Sequence, residues 1–389
     1  MAGGIKEPIS CDILFAGGGM AALSLLYRAM KAGLWLDKSI IVVDEREYKP
    51  KNWSFWKHTK GPFDEVICKS WSMLSFVAND GAVHDLKIQD YAYHTIRSED
   101  FYRHCLDYLR GFNNIRFIQE KVIRVWAEKH NCLLETPSGT FRSNYLFNSI
   151  YRKPQMKPGG QYFLQHFKGL MIRSKEFTLD PARAYLMDFR TSQEHGTSFF
   201  YTLPFSPSEV FIEFTVFSKH LLEQAAYDKK LDIYIKEVLH LKEFEVIEEE
   251  YGVIPMTDHR FPRFQGNIVN IGSAGGDTRG ATGYTFTNVQ KTVTRILDAW
   301  RNTGTPFFND ENISLKAHLY DATLLEVLDR GKYLGHQIFT DLFKGTPAPV
   351  VFSFLDAESS LFKDLLLIKS LRPMPFLKAM ISVLSRKSK

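Results

Sequence analysis

The order of apolar and polar residues divides the 389-residue chain into stretches of different grammar. "CDILFAGGG" is a short apolar run that ends in glycines. In the "MAALSLLYRAMKAG" that follows, apolar positions recur at helical spacing until Gly33 supplies a stop. "KSIIVVDERE" then has the character of a fully buried strand closing on acids. Residues 11 to 45 therefore predict strand, glycine turn, helix, strand, a βαβ unit on a parallel sheet. From about 70 to 260 strands alternate with short helical stretches, with the turn clusters "ANDG", "TPSG" and "KPGG" between them. "GNIVNIGSAGGD" repeats the strand-into-glycine pattern and leads into a predicted helix, "GYTFTNVQKTVTRILDAWRN". Beyond about residue 313 the chain reads as helical.

One predicted strand, "SEVFIEFTVFS" at 208 to 218, is aromatic and branched apolar except for Glu213. A period of two puts Phe211, Glu213, Thr215 and Phe217 on one face and Val210, Ile212, Phe214 and Val216 on the other. An apolar setting disfavours the charged carboxylate, which raises the pKa and makes the group a better proton donor near neutrality. Aromatic faces stabilise a nearby cation by roughly 0.5 to 2 kcal/mol each when desolvated. The competing reading is a half-exposed strand residue paired with a lysine or arginine.

Gly17, Gly19 and Ala22 satisfy G-x-G-x-x-[GA] after a strand and at the start of a helix. The first glycine makes the tight turn, the second lets the backbone approach a pyrophosphate, and Ala22 allows close helix–strand packing. The phosphates then meet the helix N-terminus. Asp44, at the end of the second strand, is placed to accept ribose hydroxyls. The late loop "IVNIGSAGGDTRGATGYTF", with Gly272, Gly275, Gly276 and Gly283, belongs to FAD folds of the glutathione-reductase type and is absent from NAD folds, so FAD is favoured over NAD. Ser273 stands where many flavoproteins carry an aspartate. Asp277, four residues on, is not expected to reach.

Composition sets the wider limits. The length suits two joined domains or one nucleotide-binding domain with a large insertion. The chain has 44% hydrophobic and 24% charged residues, and its 31 Phe and 17 Tyr hint at a large apolar pocket. A net charge of +5 with dispersed basic residues argues against nucleic-acid binding. Cys11, Cys68, Cys105 and Cys132 are widely spaced without C-x-x-C, and the histidines show no ligand-like pairing. Reduced thiols, a cytoplasmic setting and no metal site are expected. The opening "MAGGIKEPIS" has no signal-peptide character, and the longest uncharged run, Ile13 to Tyr27, is too short to span a bilayer.

The chain resembles the lycopene cyclases of carotenoid biosynthesis, most of all the bacterial lycopene β-cyclases, nearly end to end. The resemblance rests on "GGGMAA", "NWSFW" at 52 to 56, "LQHFKGLMIRS" at 164 to 174, "LMDFRTSQEHGTSFFYTLPFSPSEVFIEFT" at 186 to 215, "EEYGVIPM" at 249 to 256 and "IGSAGGDTRGATGYTF" at 271 to 286. "IFTDLF" and "FSFLDAES" near the C-terminus add to it. It implies a FAD protein, active in the reduced form with NAD(P)H as reductant, that converts the ψ-ends of lycopene and related acyclic carotenoids into β-ionone rings without net redox change. The glutamate of the family's E-x-T motif, its proposed acid/base, corresponds to Glu213. Some relatives carry a second acid directly after it, where this chain has Phe214.

The expected fold class is α/β, a glutathione-reductase-type FAD-binding (Rossmann-like) fold with an inserted mixed α+β substrate domain and a helical C-terminal region. Expected boundaries are 8–70 and 261–305 for the FAD-binding segments, 71–260 for a substrate region interleaved with parts of the FAD domain, and 306–389 for the C-terminal helices. Trp53, Phe55 and Trp56 are candidates to line a substrate site beside Phe211, Thr215 and Phe217, or else to fill a domain interface. Glu250, in the acid cluster 248 to 250, reads first as part of a solvated turn and second as another carboxylate near the site. Arg97 reads first as surface-paired and second as a contact for the cofactor phosphates, and His166 and His259 read as hydrogen-bonded structural residues. Residues 361 to 389 mix apolar side chains with Lys363, Lys369, Arg372, Lys378, Arg386 and Lys387. This pattern suits either an interfacial surface attracted to anionic lipid or, equally, helices packed on the flavin domain with a basic solvent face; with a hydrocarbon substrate, peripheral association with the cytoplasmic membrane is expected in either case. The alternatives are a flavin monooxygenase or reductase acting on another isoprenoid, and a non-catalytic carotenoid- or flavin-binding protein.

Overall fold

The apolar runs at the start of the chain become the parallel strands Ile9–Ala16 and Ile40–Val43, joined by helix α1 (Met20–Lys31). A computed structural model describes residues 7–45, 50–310 and 314–387; the first six residues of the N-terminal stretch discussed above and the side chain of Lys387 lie outside the described residues. Gly139–Asn148 and Ile115–Ile118 extend the sheet on either side, and Ile268–Asn270 pairs in parallel beyond Gly139–Asn148. Both of the flanking strands 115–118 and 139–148 come from the long middle stretch of the chain, so the nucleotide-type sheet is assembled from distant segments. Helix α1 packs its apolar face on this sheet, with Leu23, Leu25, Leu26 and Ala29 fully buried.

The middle stretch is mostly strand. Its helices among the described residues are α2 (Ser98–Leu109) and α3 (Gln224–Ile233), the latter running into a short π-helical turn. Seven strands form a second sheet in the order Glu245–Thr257, Tyr162–Arg173, Glu209–Ser218, Thr197–Pro204, Arg183–Asp188, Met73–Val77 and Val83–Leu86. A third, three-stranded sheet contains Asn52–Lys57, Ala92–Arg97 and Lys69–Trp71.

The alternation along Glu209–Ser218 feeds two separate cores. Val210, Ile212, Phe214 and Val216 pack with Tyr227, Leu231 and Tyr234 of α3 and the turn after it. Phe211 and Phe217 join the larger core toward the C-terminal helices. The sheet is therefore covered on both faces, which is why the strand carries apolar residues at almost every position.

Helix α4 (Phe286–Thr303) follows the second glycine loop and returns to α1. The chain ends in α5 (Leu315–Arg330), α6 (Gly335–Gly345), α7 (Ala348–Leu355), α8 (Leu361–Ser370) and α9 (Pro373–Lys387). Among the described residues no helix is long and apolar enough to cross a membrane.

Candidate active site

The two glycine loops, more than 250 residues apart in sequence, meet in space. Gly17 has φ +92 and no room for a Cβ, which would fall against Ser149 Oγ. Gly272, with φ +63, lies so close to α1 that an added Cβ would be 3.0 Å from the Ala21 Cβ. Gly19 precedes helix α1 as its N-cap and supplies no side-chain cap, leaving a helix N-terminus beside the loop. The Asp44 carboxylate accepts the Gly18 N–H at 2.6 Å, so the acid stands over the first loop. Ala22 is buried between helix and sheet.

Asp277 is fully buried, with a task that sequence spacing did not suggest. It accepts Arg263 at 2.7 Å, the Gly272 N–H at 2.7 Å and the Thr292 hydroxyl at 2.6 Å. These bonds shape the second loop from within and tie it to α4. Gly275 and Gly276 line a polar cavity of about 180 Å³ with Ser273, His259 and Arg263.

Gly283 lies in the wall of a different cavity, of about 120 Å³, whose wall also carries Glu213. Asn52, Trp53, Tyr93, Gln165, Phe211, Tyr201 and Tyr284 complete most of that wall. A Cβ at Gly283 would strike the Gln165 side-chain oxygen, and φ there is +71. That oxygen is buried and without a hydrogen-bond partner. An orphaned acceptor beside a glycine-lined loop fits a flat heteroaromatic group with an N–H to donate, so the residues present are compatible with a flavin.

Glu213 is 9% exposed, and its pKa is pushed well above the usual carboxylate range. Burial is the main cause and the nearby Glu250 charge the second, while a 2.7 Å hydrogen bond donated by Thr215 Oγ1 to Glu213 Oε1 opposes the rise. Tyr93 and Tyr201 are buried, and Tyr284 partly buried, in the wall of the same cavity, with phenol pKa values raised, desolvation again being the leading cause. Their rings are neutral, and the Tyr201 and Tyr284 hydroxyls lie 3.4 Å apart.

The reading of Glu250 as part of a solvated turn is corrected. It sits inside the 13-residue strand Glu245–Thr257 and is 4% exposed. Its carboxylate accepts the Asn52 backbone N–H at 3.0 Å and the Asn52 side-chain amide at 2.9 Å. Burial pushes its pKa up, and the Asn52 bonds and Lys51 pull against that. Alternation along the strand explains the error: Glu248 and Glu250 share a face that the second sheet shares with Glu213, whereas Glu249 points outward to Lys168.

Of the predicted lining residues, the Glu213 cavity takes Trp53 and Phe211. Thr215 is held on the Glu213 carboxyl instead of forming cavity wall. Phe55 stacks on Phe286 with centroids 4.6 Å apart, inside the core of the nucleotide-type domain. Trp56 donates to Asp356 at 2.7 Å and stacks on Phe352 of α7, bridging to the C-terminal helices. Phe217 lies one step further from Glu213, in a narrow cleft with Trp56, Tyr284 and Phe339. Arg97 lies over the Phe205 ring at 5.4 Å and makes no ion pair among the described residues. His166 is hydrogen-bonded to Tyr227 and Ser218. Gln165, Tyr201 and Tyr284 were not singled out by sequence reasoning, although Gln165 and Tyr201 lie in strings quoted for the resemblance and Tyr284 in the second loop.

The family model described as lycopene cyclase protein matches residues 12–381. The chloroplastic lycopene beta cyclase of Nicotiana tabacum is 24% identical over 302 residues, which are 70% of this chain and 57% of that protein. The chain thus spans somewhat over half the length of that relative. Among solved structures, a flavoprotein/dehydrogenase from Cytophaga hutchinsonii has TM-score 0.62 and 11% identity, covering 96% of this chain and 99% of its own. A geranylgeranyl bacteriochlorophyll reductase-like protein from Thermoplasma acidophilum has TM-score 0.59 at 11% identity, with the same coverage. At this identity the two structures establish the fold, a Rossmann-type flavoprotein fold with a helical C-terminus.

Proposed function

The chain belongs to the lycopene cyclase family, and from that premise we propose that it is a lycopene β-cyclase, closing the ψ-ends of lycopene to β-ionone rings with Glu213 as the acid. The observation that carries the reading is the placement of Glu213: a buried carboxyl with a raised pKa, in the wall of an aromatic cavity that reaches the second glycine loop.

Ring closure needs a proton delivered to an alkene carbon, a cyclic carbocation protected from water, and a proton removed from the ring. No atoms are gained or lost and no electrons are transferred. Glu213 is protonated near neutrality because its site disfavours the anion, so it can donate; once ionised, the same oxygen can take the second proton. Thr215 orients the carboxyl and steadies its charged form. Tyr93, Tyr201, Tyr284 and Trp53 present ring faces that stabilise positive charge and exclude water.

FAD would be held by Gly17, Gly19, Ala22 and Asp44 at its nucleotide end and by Gly272, Gly275, Gly276 and Gly283 nearer the reacting end, with the orphaned Gln165 oxygen as an acceptor for it. Bound and reduced by NAD(P)H, it would supply negative charge beside the cation. Glu250 is a second buried carboxyl on the Glu213 face of the sheet, whereas position 214 points to the opposite face. It belongs to the next strand but one and anchors Asn52, and with it Trp53, against the sheet.

A hydrocarbon substrate must come from a bilayer. Leu361, Phe362, Leu365, Met374 and Ile381 of α8 and α9 are each more than half exposed. Lys363, Lys369 and Lys378 make no ion pair among the described residues, whereas Arg372 pairs with Asp341 and Arg386 with Glu326. This supports peripheral association with anionic lipid through α8 and α9.

The test is expression of the chain in a lycopene-accumulating bacterium, with pigments separated by chromatography. Conversion to γ-carotene and β-carotene is expected. Unchanged lycopene would sink the proposal, and a product with added oxygen or hydrogen would support a monooxygenase or reductase.

A further inference from the structure

Helices α5 to α9 enclose a second chamber, of about 300 Å³, lined almost wholly by apolar side chains such as Leu324, Ile338, Phe339, Leu342 and Leu367. Its charged wall residues are satisfied locally. Arg279 and Asp321 form a buried ion pair at 2.6 Å, with Arg279 also donating to the Leu355 carbonyl at 3.0 Å. Arg372 is held by Asp341 and lies over the Tyr333 ring. No charge is left to recognise a polar ligand, so the chemistry of the chamber is that of a hydrocarbon.

Two observations give the chamber a direction. Ile368 and Leu377 line it yet are 41% and 45% exposed, so the chamber opens to the outside between α8 and α9, on the apolar surface described above. At its inner end, Ala281, Thr282, Phe339 and Leu355 are shared with the narrow cleft of Trp56, Phe217 and Tyr284. That cleft in turn shares Tyr201, Thr282 and Tyr284 with the Glu213 cavity. The three spaces thus adjoin one another through shared wall residues, from the α8–α9 surface to the carboxyl.

The Glu213 cavity, at about 120 Å³, is well below the roughly 300–1,000 Å³ typical of sites for drug-sized ligands. It has room for the end of a long polyene and not for its length. We propose that the α5–α9 chamber is a hydrocarbon-binding site: it takes the part of a long, apolar polyene that does not reach Glu213, and admits it between α8 and α9. This rests on the proposed cyclase function for the identity of the natural ligand, but the chamber's preference for rod-like apolar molecules follows from its walls alone.

Diphenylhexatriene, a rod-shaped polyene that fluoresces in apolar surroundings, tests the site directly on the purified full chain. Saturable binding at about one probe per chain is expected. Leu324→Trp, inside the chamber, and Leu377→Trp, at its partly exposed mouth where an added ring is readily accommodated, should each weaken binding at least tenfold and lower lycopene turnover in parallel. Leu36→Ser, at an exposed position of the nucleotide-type domain outside the chamber, should leave one-to-one binding unchanged; melting temperatures identify any variant that fails to fold. Probe binding that survives Leu377→Trp in a folded protein overturns the chamber, even if the wild type cyclises lycopene. Saturable binding lost in the filled variants of a chain that leaves lycopene unchanged upholds the chamber and removes the cyclase reading.

Discussion

Glu213 and Glu250 face the same side of one sheet, with a single strand between them and Gly169 in register with both. At about 4.8 Å per strand their backbones are about 10 Å apart. The residue between has no side chain, and the Phe211 ring lies over it. The Glu250 charge therefore makes Glu213 ionise less readily than it would alone.

Glu213→Gln should abolish ring formation, with a loss on the order of 10²- to 10⁴-fold from removing the general acid. The amide matches the protonated acid in shape, so the melting temperature near neutral pH should change little. Pigment chromatography beside a thermal melt checks both; retained cyclisation would remove Glu213 from the mechanism.

The raised carboxyl pKa values give stability a definite pH dependence. Above the ordinary carboxyl value of 4.5, the folded chain holds protons at Glu213 that the unfolded chain has released. Stability then falls as pH rises, and the contribution is lost as pH passes through the folded-state values. Wild type should lose stability on the alkaline side while Glu213→Gln loses less, measured by denaturant titrations across pH. Equal slopes in the two proteins would contradict a raised Glu213 pKa.

Thr215→Val removes the hydroxyl that favours the charged form of Glu213. The alkaline limb of the activity profile should move to higher pH, with about 1 kcal/mol of stability lost from the buried unpaired oxygen. A profile moved to lower pH would mean that the hydroxyl acts otherwise.

Gly169→Ala places a methyl against the Phe211 ring, and the ring must move toward one carboxyl or the other. About 1–3 kcal/mol of destabilisation is expected. Gly169→Ala combined with Phe211→Leu should recover part of it, a non-additivity that denaturant melts of the single and double variants reveal.

Gly283→Ala forces a side chain onto Gln165 and onto a backbone at φ +71. Flavin retention, read from the absorbance of the purified protein, should fall sharply while the far-ultraviolet circular dichroism persists. A fully flavinylated variant would place the cofactor elsewhere.

Much of this molecule is determined locally. Gly17, Gly19 and Ala22 at the end of an apolar run specify a glycine turn because only residues with small or absent side chains fit there, and alternation along 208–218 assigns each residue to a face because a strand has a period of two. The identity of Glu213 as the odd carboxyl was legible for the same reason. Tertiary structure decided which residues keep it company. Glu250 looks solvated in a run of three acids, and becomes a buried neighbour only when Glu245–Thr257 pairs beyond Tyr162–Arg173. Phe217 shares the face of Glu213 but is a full strand repeat beyond Thr215, which moves it into the next cleft. Trp56 is drawn to α7, some 300 residues away in sequence, by an indole N–H that needs the Asp356 carboxylate. Periodicity tells a side chain which way to point. What it meets there depends on strand pairing and helix docking between distant segments, and those long-range contacts are not encoded in any local window.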